Sequence, residues 1–558
     1  MKILIKNGKI VDVLKDKIYP ADILIDGNII LKIGKIKSSF DKLIDAKEKF
    51  IVPGLIDAHT HNEISMLSPK AFAEAILRTG TTSIILDFHD LANVVGIKQA
   101  YEFNKNQFLG TILDVFYMIP ICVPSSEKTE TCGNKDSLQD IIPLFNDENV
   151  RGLGEIMDIQ GVLNQEERLM FLINEAKKRN LIIDGHCPEL SEKKLDSYLK
   201  YSGASSDHEF SSIKEAQEKL NKGMYLIFRR GITKEPNSFQ IWQEAADKSK
   251  LLLSTDGCIT SETISKKGYM NFAVKQMINE GIPPIEVIKM STINVAKHYN
   301  LKKVGQIKEG FFADLLIISD LEKFSINRVI AKGKLISKRF KLKQKIPPDF
   351  FCSIKINKIL PEDLLIKNDV NKKFVRVIEL KPNSLETIES TYPINHDSKF
   401  IHSNNSDGIL HISIINRYKT SMPINSFVKI SNFNFGAIAS SNAQDAQNII
   451  VFGTNSKDMA FAVNHLIDIG GGCVLIENEK ILYSIQLPLA GIMSLKSVYQ
   501  LSKDIKLFEK RLSQKGFNFS NILFFLSMGF TVSSIPNIKL TDKGLYSINE
   551  DCFKEPLI

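Results

Sequence analysis

The sequence predicts an α/β protein built around a TIM-like (β/α)8 barrel at residues 51–304. Within this segment, short apolar runs alternate with stretches of helical periodicity, which is typical of repeated βα units. On either side, residues 1–50 and 305–345 carry similar patterns of short strands, which predict one small β-sandwich subdomain formed from both flanks. The pattern changes again after residue 345, so residues 346–558 are predicted to form an additional α+β C-terminal domain.

The flanks are predicted to be β structure because their apolar segments are short and are separated by turn residues. In the first flank, Asn7-Gly8 and Asp26-Gly27 are hairpin turn signals. A similar pattern returns at residues 305–337, where residues 313–318 form a mostly apolar run. We therefore expect the two flanks to pair with each other.

The predicted barrel begins at residues 51–55, an uncharged run in which Pro53-Gly54 is incompatible with a helix. This run predicts a short strand, buried on both faces, that presents polar side chains at its end. The other predicted strands are the apolar runs at residues 81–86, 115–121, 152–157, 181–184, 225–228 and 251–254.

The C-terminal part is predicted to begin after the linker at Pro347-Pro348. Residues 458–467 have helical periodicity, and Gly470-Gly471-Gly472 predicts a tight turn. This glycine run is not a phosphate-binding loop, because no Gly-Lys-Ser/Thr follows it.

Composition excludes several classes of partner. The net charge of +8 comes from lysines spread along the chain, and no basic run is interleaved with aromatics, so no nucleic-acid partner is expected. No apolar run approaches the ~18 residues of a membrane span, and the N-terminus does not resemble a signal peptide, so no membrane partner is expected. The seven scattered cysteines form no Cys-x-x-Cys, which argues against a disulfide framework and fits a reducing cytoplasm.

Histidines concentrate at the ends of the predicted barrel strands. His59 and His61 follow the first strand, and residues two apart in a strand face the same side. The chemistry of such barrels takes place at the carboxyl ends of their strands, so this distribution predicts a metal site. The seven polar side chains at or shortly after strand ends are His59, His61, His89, Glu155, His186, His208 and Asp256.

A hydrolytic site needs a water that ionises near neutral pH, and two divalent cations about 3.5–4 Å apart can share and deprotonate one. Such a pair needs terminal ligands on each ion and one bridging anion. A carboxylate bridge among nitrogen ligands suits Mn²⁺, Fe²⁺ or Zn²⁺ without choosing between them. We assign His59, His61 and Asp256 to one ion, His186 and His208 to the other, and Glu155 to the bridge.

Residues 53–61, Pro-Gly-Leu-Ile-Asp-Ala-His-Thr-His, resemble the first-strand signature of the amidohydrolase superfamily. Further stretches resemble bacterial adenine deaminases over nearly the whole chain. They are residues 57–66, 87–94, 154–164, 185–190, 206–209 and 254–256 in the barrel, and 436–441, 453–459 and 540–545 beyond it. The resemblance implies hydrolysis of a small-molecule purine, adenine, to hypoxanthine and ammonia, usually with manganese or iron; a homo-oligomer is also expected.

The resemblance also suggests roles for single residues. Asp256 is expected to shuttle a proton from the attacking water to the ring or amine nitrogen. Glu209 and His89 are expected to be catalytic, and Glu63 and Ser65 to bind the substrate.

The chain departs from the family pattern at five positions. The family has a second acid at the position of Gly257, a Glu at Arg230 and a His at Tyr269, and histidines at Gln444 and Gln447. The proposed metal ligands are retained, so metal binding and hydrolysis are expected, whereas adenine preference and turnover stay open.

Three alternatives compete with this interpretation. A zinc deaminase of the cytidine type would need a Pro-Cys-x-x-Cys, and Cys187-Pro188 has the reverse order with no second cysteine. An amidohydrolase acting on another aminopurine or a cyclic amide would share the barrel, but many carry a bridging lysine where this chain has Glu155. A diverged, non-catalytic paralogue has no reason to keep all six ligands.

Overall fold

The computed structural model describes residues 1–233, 235, 237–337, 340–351, 353–382 and 384–558. The chain begins with β structure. Its first strands are β1 (Lys2–Asp12), β2 (Lys17–Asp26), β3 (Ile29–Gly34), β4 (Lys42–Asp45) and β5 (Phe50–Pro53).

The predicted hairpin turn at Asn7-Gly8 was wrong. Strand β1 continues through this dipeptide as a bulge, and its register with β2 shifts between Ile5 and Gly8. Asn7 has a φ of 56°, and its side chain donates to Asp45 over 3.1 Å. The bulge lets β1 pair with β4 before it and with β5 after it, so the turn signal marks a change of partner instead of a reversal.

Eight parallel strands follow as the predicted barrel, each paired with its neighbours in chain order. They are β6 (Leu55–Thr60), β7 (Thr81–Asp87), β8 (Asp114–Ile119), β9 (Val150–Ile156), β10 (Ile182–Gly185), β11 (Ser206–Asp207), β12 (Tyr225–Arg229) and β13 (Leu251–Ser254). The backbone N–H of Asp256 donates to the carbonyl of His59 over 3.0 Å, which joins the last strand to the first. The predicted barrel is confirmed.

The first barrel strand differs from its prediction. Residues 51–55 are divided by Gly54 between β5 and β6, and His59 lies inside β6. A side chain at position 54 would meet Thr82, since a Cβ there would be 2.2 Å from the Thr82 hydroxyl oxygen. The sequence also missed β11, because two paired residues leave no periodic pattern.

Helices surround the barrel. They are α1 (Pro69–Leu77), α2 (His89–Val95), α3 (Ile97–Phe108), α4 (Leu138–Ile141), α5 (Ile159–Leu163), α6 (Glu167–Lys178), α7 (Glu192–Ser202), α8 (Ile213–Asn221), α9 (Ser238–Glu244), α10 (Ser261–Lys266), α11 (Met270–Asn279), α12 (Pro284–Met290) and α13 (Ile293–His298). Short 3₁₀ helices occur at Asn62–Ser65, Ile142–Asn146, Lys248–Lys250, Pro348–Phe351 and Pro361–Leu364.

The second flank completes the first sheet with β14 (Leu315–Ile318), β15 (Ile326–Ala331) and β16 (Lys334–Ile336). Strand β14 pairs with β5, so the two flanks pair with each other, as the sequence predicts, and together they form one eight-stranded sheet. Its core consists largely of isoleucines, and a bridge between Ile29, the first residue of β3, and Phe312, which precedes β14, forms a second contact between the two flanks. The domain boundaries after residues 50, 304 and 345 stay predictions.

The C-terminal part is α+β, as expected, with a third eight-stranded sheet in the order β19-β18-β22-β21-β24-β23-β25-β26. The strands of the C-terminal part are β17 (Ile366–Lys367), β18 (Phe374–Leu380), β19 (Thr387–Pro393), β20 (Phe400–Ile401), β21 (Ile409–Ile415), β22 (Ile424–Lys429), β23 (Ala437–Ser440), β24 (Ile449–Gly453), β25 (Gly472–Glu477), β26 (Lys480–Gln486), β27 (Ile538–Thr541), β28 (Gly544–Ser547) and β29 (Cys552–Lys554). Its helices are α14 (Ser456–Ile469), which contains the predicted helix, α15 (Val498–Gln514) and α16 (Ile522–Met528).

The described cysteines are free thiols, and Cys352 lies outside the described residues. Within the described ranges, no helix is both long enough and apolar enough to cross a membrane. A cytoplasmic location and a homo-oligomeric state stay predictions.

Candidate metal centre

The first and last barrel strands bring three predicted ligands together. The Nε2 atoms of His59 and His61 lie 3.0 Å apart, and the carboxylate Oδ1 of Asp256 lies 3.5 Å and 3.1 Å from them, respectively. The Nδ1 atom of His61 lies 3.0 Å from the carbonyl oxygen of Asp87, which fixes the ring with Nε2 facing inward. Position along β6 and barrel closure therefore create one half of the centre.

Glu155, in β9, lies between this group and a second pair of histidines. Its Oε1 atom is 3.5 Å from Nε2 of His59 and 3.3 Å from Nε2 of His61. Its Oε2 atom is 2.7 Å from Nδ1 of His186 and 3.2 Å from Nε2 of His208. One carboxylate thus faces two sets of imidazoles, which is the geometry required of a bridging ligand.

The donor set fits divalent cations. All six side chains are buried, and nitrogen faces nitrogen both in the His59–His61 pair and between His186 Nδ1 and His208 Nε2, which are 3.2 Å apart. Two neutral imidazoles can share only one proton across such a contact, whereas a cation between them would accept both lone pairs. Imidazole nitrogens and carboxylate oxygens bind Zn²⁺ and similar ions at about 2.0–2.2 Å, which matches donors spaced about 3 Å apart.

The electrostatics of the two carboxylates agree with this arrangement. Burial by itself would raise the pKa of Glu155, but the imidazoles of His208, His186 and His59 outweigh it and hold that pKa well below its usual value. Burial is likewise outweighed at Asp256, where His61, His208 and Arg229 lower the pKa of the carboxyl group. Both groups are therefore anionic and available as ligands.

His89, at the start of α2, lies on the edge of the centre and contacts the C-terminal part. Its Nδ1 atom is 3.6 Å from Glu155, and its Nε2 atom is 3.5 Å from Oδ1 of Asp445. The other oxygen of Asp445 accepts a hydrogen bond from Ser125 over 2.8 Å. Sequence reasoning missed Asp445, because no pattern ties a residue so far along the chain to the barrel.

Gln444 and Gln447, on either side of Asp445, also reach the barrel. Their amide nitrogens lie 3.3 Å and 2.5 Å, respectively, from the two carboxylate oxygens of Asp90. The segment around Asp445 therefore contributes three side chains to the wall next to His89.

On the opposite side, Arg229 connects two predicted catalytic residues. Its guanidinium pairs with Glu209 and lies 3.3 Å from Oδ2 of Asp256, while its Nε donates to Glu235 over 2.9 Å. Arg229 and Glu209 line a cavity of about 240 Å³, whose far wall includes Leu385. Sequence reasoning missed Arg229 although it ends β12, where the strand-end rule could have found it.

The two predicted substrate-binding residues have different surroundings. Glu63 is buried, and neither of its carboxylate oxygens has a hydrogen-bond partner among the described residues. Burial, followed by the nearby Asp90, raises the pKa of Glu63 to about 8. The Ser65 hydroxyl donates to the carbonyl of Asn62 over 2.6 Å within the local turn. Substrate contact by either residue stays a prediction.

Comparison with known proteins adds independent information. Residues 50–336 match the model of the amidohydrolase family, and residues 384–552 match that of the adenine deaminase C-terminal domain. The chain is 35% identical to an adenine deaminase of Clostridium acetobutylicum, over 98% of this chain and 96% of that protein. It is also 35% identical to one of Methanosphaera stadtmanae, over 98% of each chain.

The chain belongs to the adenine deaminase family of amidohydrolases. The predicted family is thus confirmed, and with it the metal-dependent class of the enzyme. Among solved structures, enamidase, described as a member of the amidohydrolase superfamily, is 16% identical with a TM-score of 0.46. That match covers 62% of this chain and 99% of enamidase.

The structure accounts for one departure from the adenine deaminase pattern. Gly257 has a φ of 61°, and a Cβ there would lie 2.6 Å from Cδ1 of Ile64 and 2.8 Å from the carbonyl oxygen of His61. A second acid at this position would therefore clash with the segment that carries a predicted ligand.

Two other departures lie in buried networks. Arg230 is buried and pairs with Glu235 and Glu280, each over 2.8 Å. The Tyr269 hydroxyl lies 2.6 Å from that of Thr60 and 2.8 Å from that of Thr255. Tyr269 thereby connects the two strand ends that carry His59 and Asp256.

Proposed function

We propose that the chain hydrolyses adenine to hypoxanthine and ammonia at a dinuclear metal centre. The observation that carries this proposal is the position of Glu155, whose two oxygens face separate groups of ligands. Relatives that match nearly the full chain are named adenine deaminase. The proposed ligands are His59, His61 and Asp256 for one cation, His186 and His208 for the other, and Glu155 for both.

Mn²⁺ is the cation we propose, followed by Fe²⁺ and then Zn²⁺. The ligand set of imidazoles and carboxylates suits all three, and the order follows the resemblance to adenine deaminases, which implies manganese or iron. When bound, such cations supply a water that ionises near neutral pH. The remaining steps depend on the side chains around them.

Asp256 is the proposed proton shuttle. Its Oδ1 atom faces the imidazole of His61, and its Oδ2 atom faces Arg229 beside the cavity. Its carboxylate thus contacts both the ligand cluster and an arginine that lines the cavity we propose for the substrate. In this position it accepts a proton from the attacking water and returns it to a substrate nitrogen.

The chemistry balances with water as the only co-reactant. A carbon–oxygen bond forms at the purine carbon that bears the exocyclic amine, and the bond from that carbon to nitrogen breaks. One water proton leaves with the amine as ammonia and the other remains on a ring nitrogen, so ammonia and hypoxanthine are the products. We propose that Glu209 and His89 assist these proton transfers, and that Glu63 accepts hydrogen bonds from N–H groups of the base.

The test is ammonia release by full-length protein that has been stripped of metal and then loaded with Mn²⁺. Adenine is compared with 2,6-diaminopurine and guanine by ammonia release. A cyclic amide such as hydantoin is followed by chromatography, because opening of its ring releases no ammonia. We expect adenine to give the highest kcat/KM, and His59→Ala to abolish turnover while circular dichroism is unchanged. The matched control is His411→Ala, another buried histidine, which lies in the C-terminal sheet.

Other outcomes would contradict parts of the proposal. Activity on another compound but not on adenine would refute the substrate and preserve the reaction class. If no substrate is turned over and no metal binds, the chain is a non-catalytic paralogue.

A further inference from the structure

Lys219, on α8, is completely buried beneath the second half of the metal centre. Its ammonium group lies 2.8 Å from the carbonyl of Cys187, 2.7 Å from Oδ2 of Asp207, 2.7 Å from the carbonyl of Glu209 and 2.6 Å from Oε1 of Glu215. Three N–H donors therefore serve four acceptors, two of which are carboxylates.

These acceptors flank two predicted metal ligands. Cys187 follows His186 directly, and Asp207 and Glu209 are the neighbours of His208 on either side. The second oxygen of Asp207 also accepts from the backbone N–H of Cys187 over 2.9 Å. The Lys219–Asp207 pair thus ties the loop that carries His186 to the loop that carries His208.

Glu215 extends the same connection. Its Oε1 atom accepts from the backbone N–H of Glu189 over 2.9 Å, and its Oε2 atom accepts from that of Ser211 over 3.0 Å. The Glu215 side chain of α8 therefore binds backbone N–H groups in both loops, beyond the residues that Lys219 contacts.

The sheet offers little support at this place. Strand β11 consists of two residues, and it pairs with β10 through only two residue positions. Longer strands such as β7 and β8 share five paired positions, which fix their ends through the backbone. The relative position of His186 and His208 consequently depends on side-chain hydrogen bonds to a greater degree than that of other ligands.

We infer that Lys219 is a positioning residue for the cation held by His186 and His208. Its ammonium group fixes the spacing of the two imidazoles through Asp207 and the two flanking carbonyls. This inference rests on the proposed dinuclear centre. According to this inference, Lys219 raises the affinity of the His186–His208 site for its cation. The affinity of the site at His59, His61 and Asp256 does not depend on Lys219.

The experiment is a calorimetric titration of metal-free, full-length protein with Mn²⁺ alone, without any substrate. We expect the unmodified chain to bind two cations. Lys219→Met should bind one with unchanged affinity and the other about 10–100-fold more weakly, as is usual when a group supporting metal ligands is removed. His186→Ala serves as the reference for loss of the same cation.

The matched control is Lys539→Met. Lys539 is also completely buried, and it donates to the carbonyls of Leu385 and Gly529 over 2.6 Å and 2.8 Å, away from the ligands. We expect this variant to bind both cations as the unmodified chain does. If the loss of any buried lysine weakened cation binding, both variants would bind Mn²⁺ more weakly to a similar degree.

Equal weakening of both cations in Lys219→Met, or no weakening of either, would overturn the inference. If Lys219→Met does not fold, Asp207→Asn is titrated in its place. This variant keeps Lys219 and the shape of the side chain at position 207, but removes the negative charge that pairs with the ammonium group. An unchanged titration of Asp207→Asn would then overturn the inference. If the unmodified chain binds fewer than two cations, the dinuclear centre itself is refuted. The titration of the unmodified chain therefore tests the dinuclear centre separately from the role of Lys219.

Discussion

The backbone N–H of Asp256 donates to the carbonyl oxygen of His59 over 3.0 Å, and this hydrogen bond closes the barrel between two proposed ligands of one cation. The two residues are far apart in sequence, yet their relative position is set by main-chain atoms. Asp256 has a φ of 48°, so the chain turns sharply at the end of β13 and directs the carboxylate inward. Substitutions of the Asp256 side chain should therefore affect catalysis more than they affect the stability of the fold.

We first predict that Asp256→Asn lowers kcat for adenine by about 10²–10⁴-fold, because an amide cannot accept the proton of the attacking water. The backbone hydrogen bond to His59 is retained, so the melting temperature of the metal-free protein should change little. Ammonia release and thermal unfolding check both statements. A variant that keeps more than a tenth of the activity would exclude Asp256 as the shuttle.

The second prediction concerns Arg229, which pairs with Glu209 and contacts Oδ2 of Asp256. Arg229→Met removes a cation that lowers the pKa of Asp256, so we expect kcat to fall by about 10-fold or more, with the acid limb of the pH–rate profile displaced to higher pH. Arg179→Met, which removes a surface pair with Glu175, is the control and should leave the profile unchanged. Identical profiles for the two variants would contradict the role of Arg229.

The third prediction compares two glycines with nearly the same positive φ angle. Gly257 has a φ of 61° and is crowded by Ile64 and His61, whereas Gly27 has a φ of 60° and open space within 4 Å of where a Cβ would lie. Alanine at either site meets the same left-handed strain of about 1–2 kcal/mol. Gly257→Ala adds a steric cost of about 1–3 kcal/mol and displaces the His61 segment.

We therefore expect Gly257→Ala to lower both the melting temperature and the Mn²⁺ affinity, and Gly27→Ala to lower only the melting temperature. Thermal unfolding and metal titration measure the difference. Equal effects on metal affinity would show that crowding at position 257 does not matter to the centre.

The fourth prediction concerns the pH dependence of stability. Burial, followed by the charge of Asp114, raises the pKa of Asp314 from its ordinary 3.8 to about 7. The folded state then binds this proton more tightly than the unfolded state does. The free energy of unfolding should fall as pH rises from about 4 to about 7, by about 4 kcal/mol at most, at 1.4 kcal/mol per pKa unit.

Asp314→Asn should remove this slope, because the amide cannot ionise while it can still accept from the backbone N–H of Lys332. Melting temperatures of metal-free protein at pH 5 and pH 7.5 measure the effect, with Asp26→Asn, a partly exposed position of the same sheet, as control. An unchanged slope in Asp314→Asn would assign the pH dependence to other groups.

Much of the barrel could be predicted because its strands have strong local signals. Strands β7 and β13 begin where the sequence predicts. In β13 the continuous apolar run at residues 251–253 lies between polar residues, so its recognition needs no knowledge of its partners. Strand β11 could not be predicted, because two residues carry no periodicity. The Asn7-Gly8 signal was misread because a bulge and a hairpin turn use the same residue types.

The sequence by itself determined the order of the βα units and which polar side chains lie at or just beyond the ends of their strands. Parallel strands place those ends at one face of the barrel, so His59, Glu155 and Asp256 could be grouped before any distance was known. Only the tertiary structure decided the contacts of Asp445, Arg229 and Lys219. These depend on how separate segments pack, and long-range packing leaves no periodic trace in the local sequence.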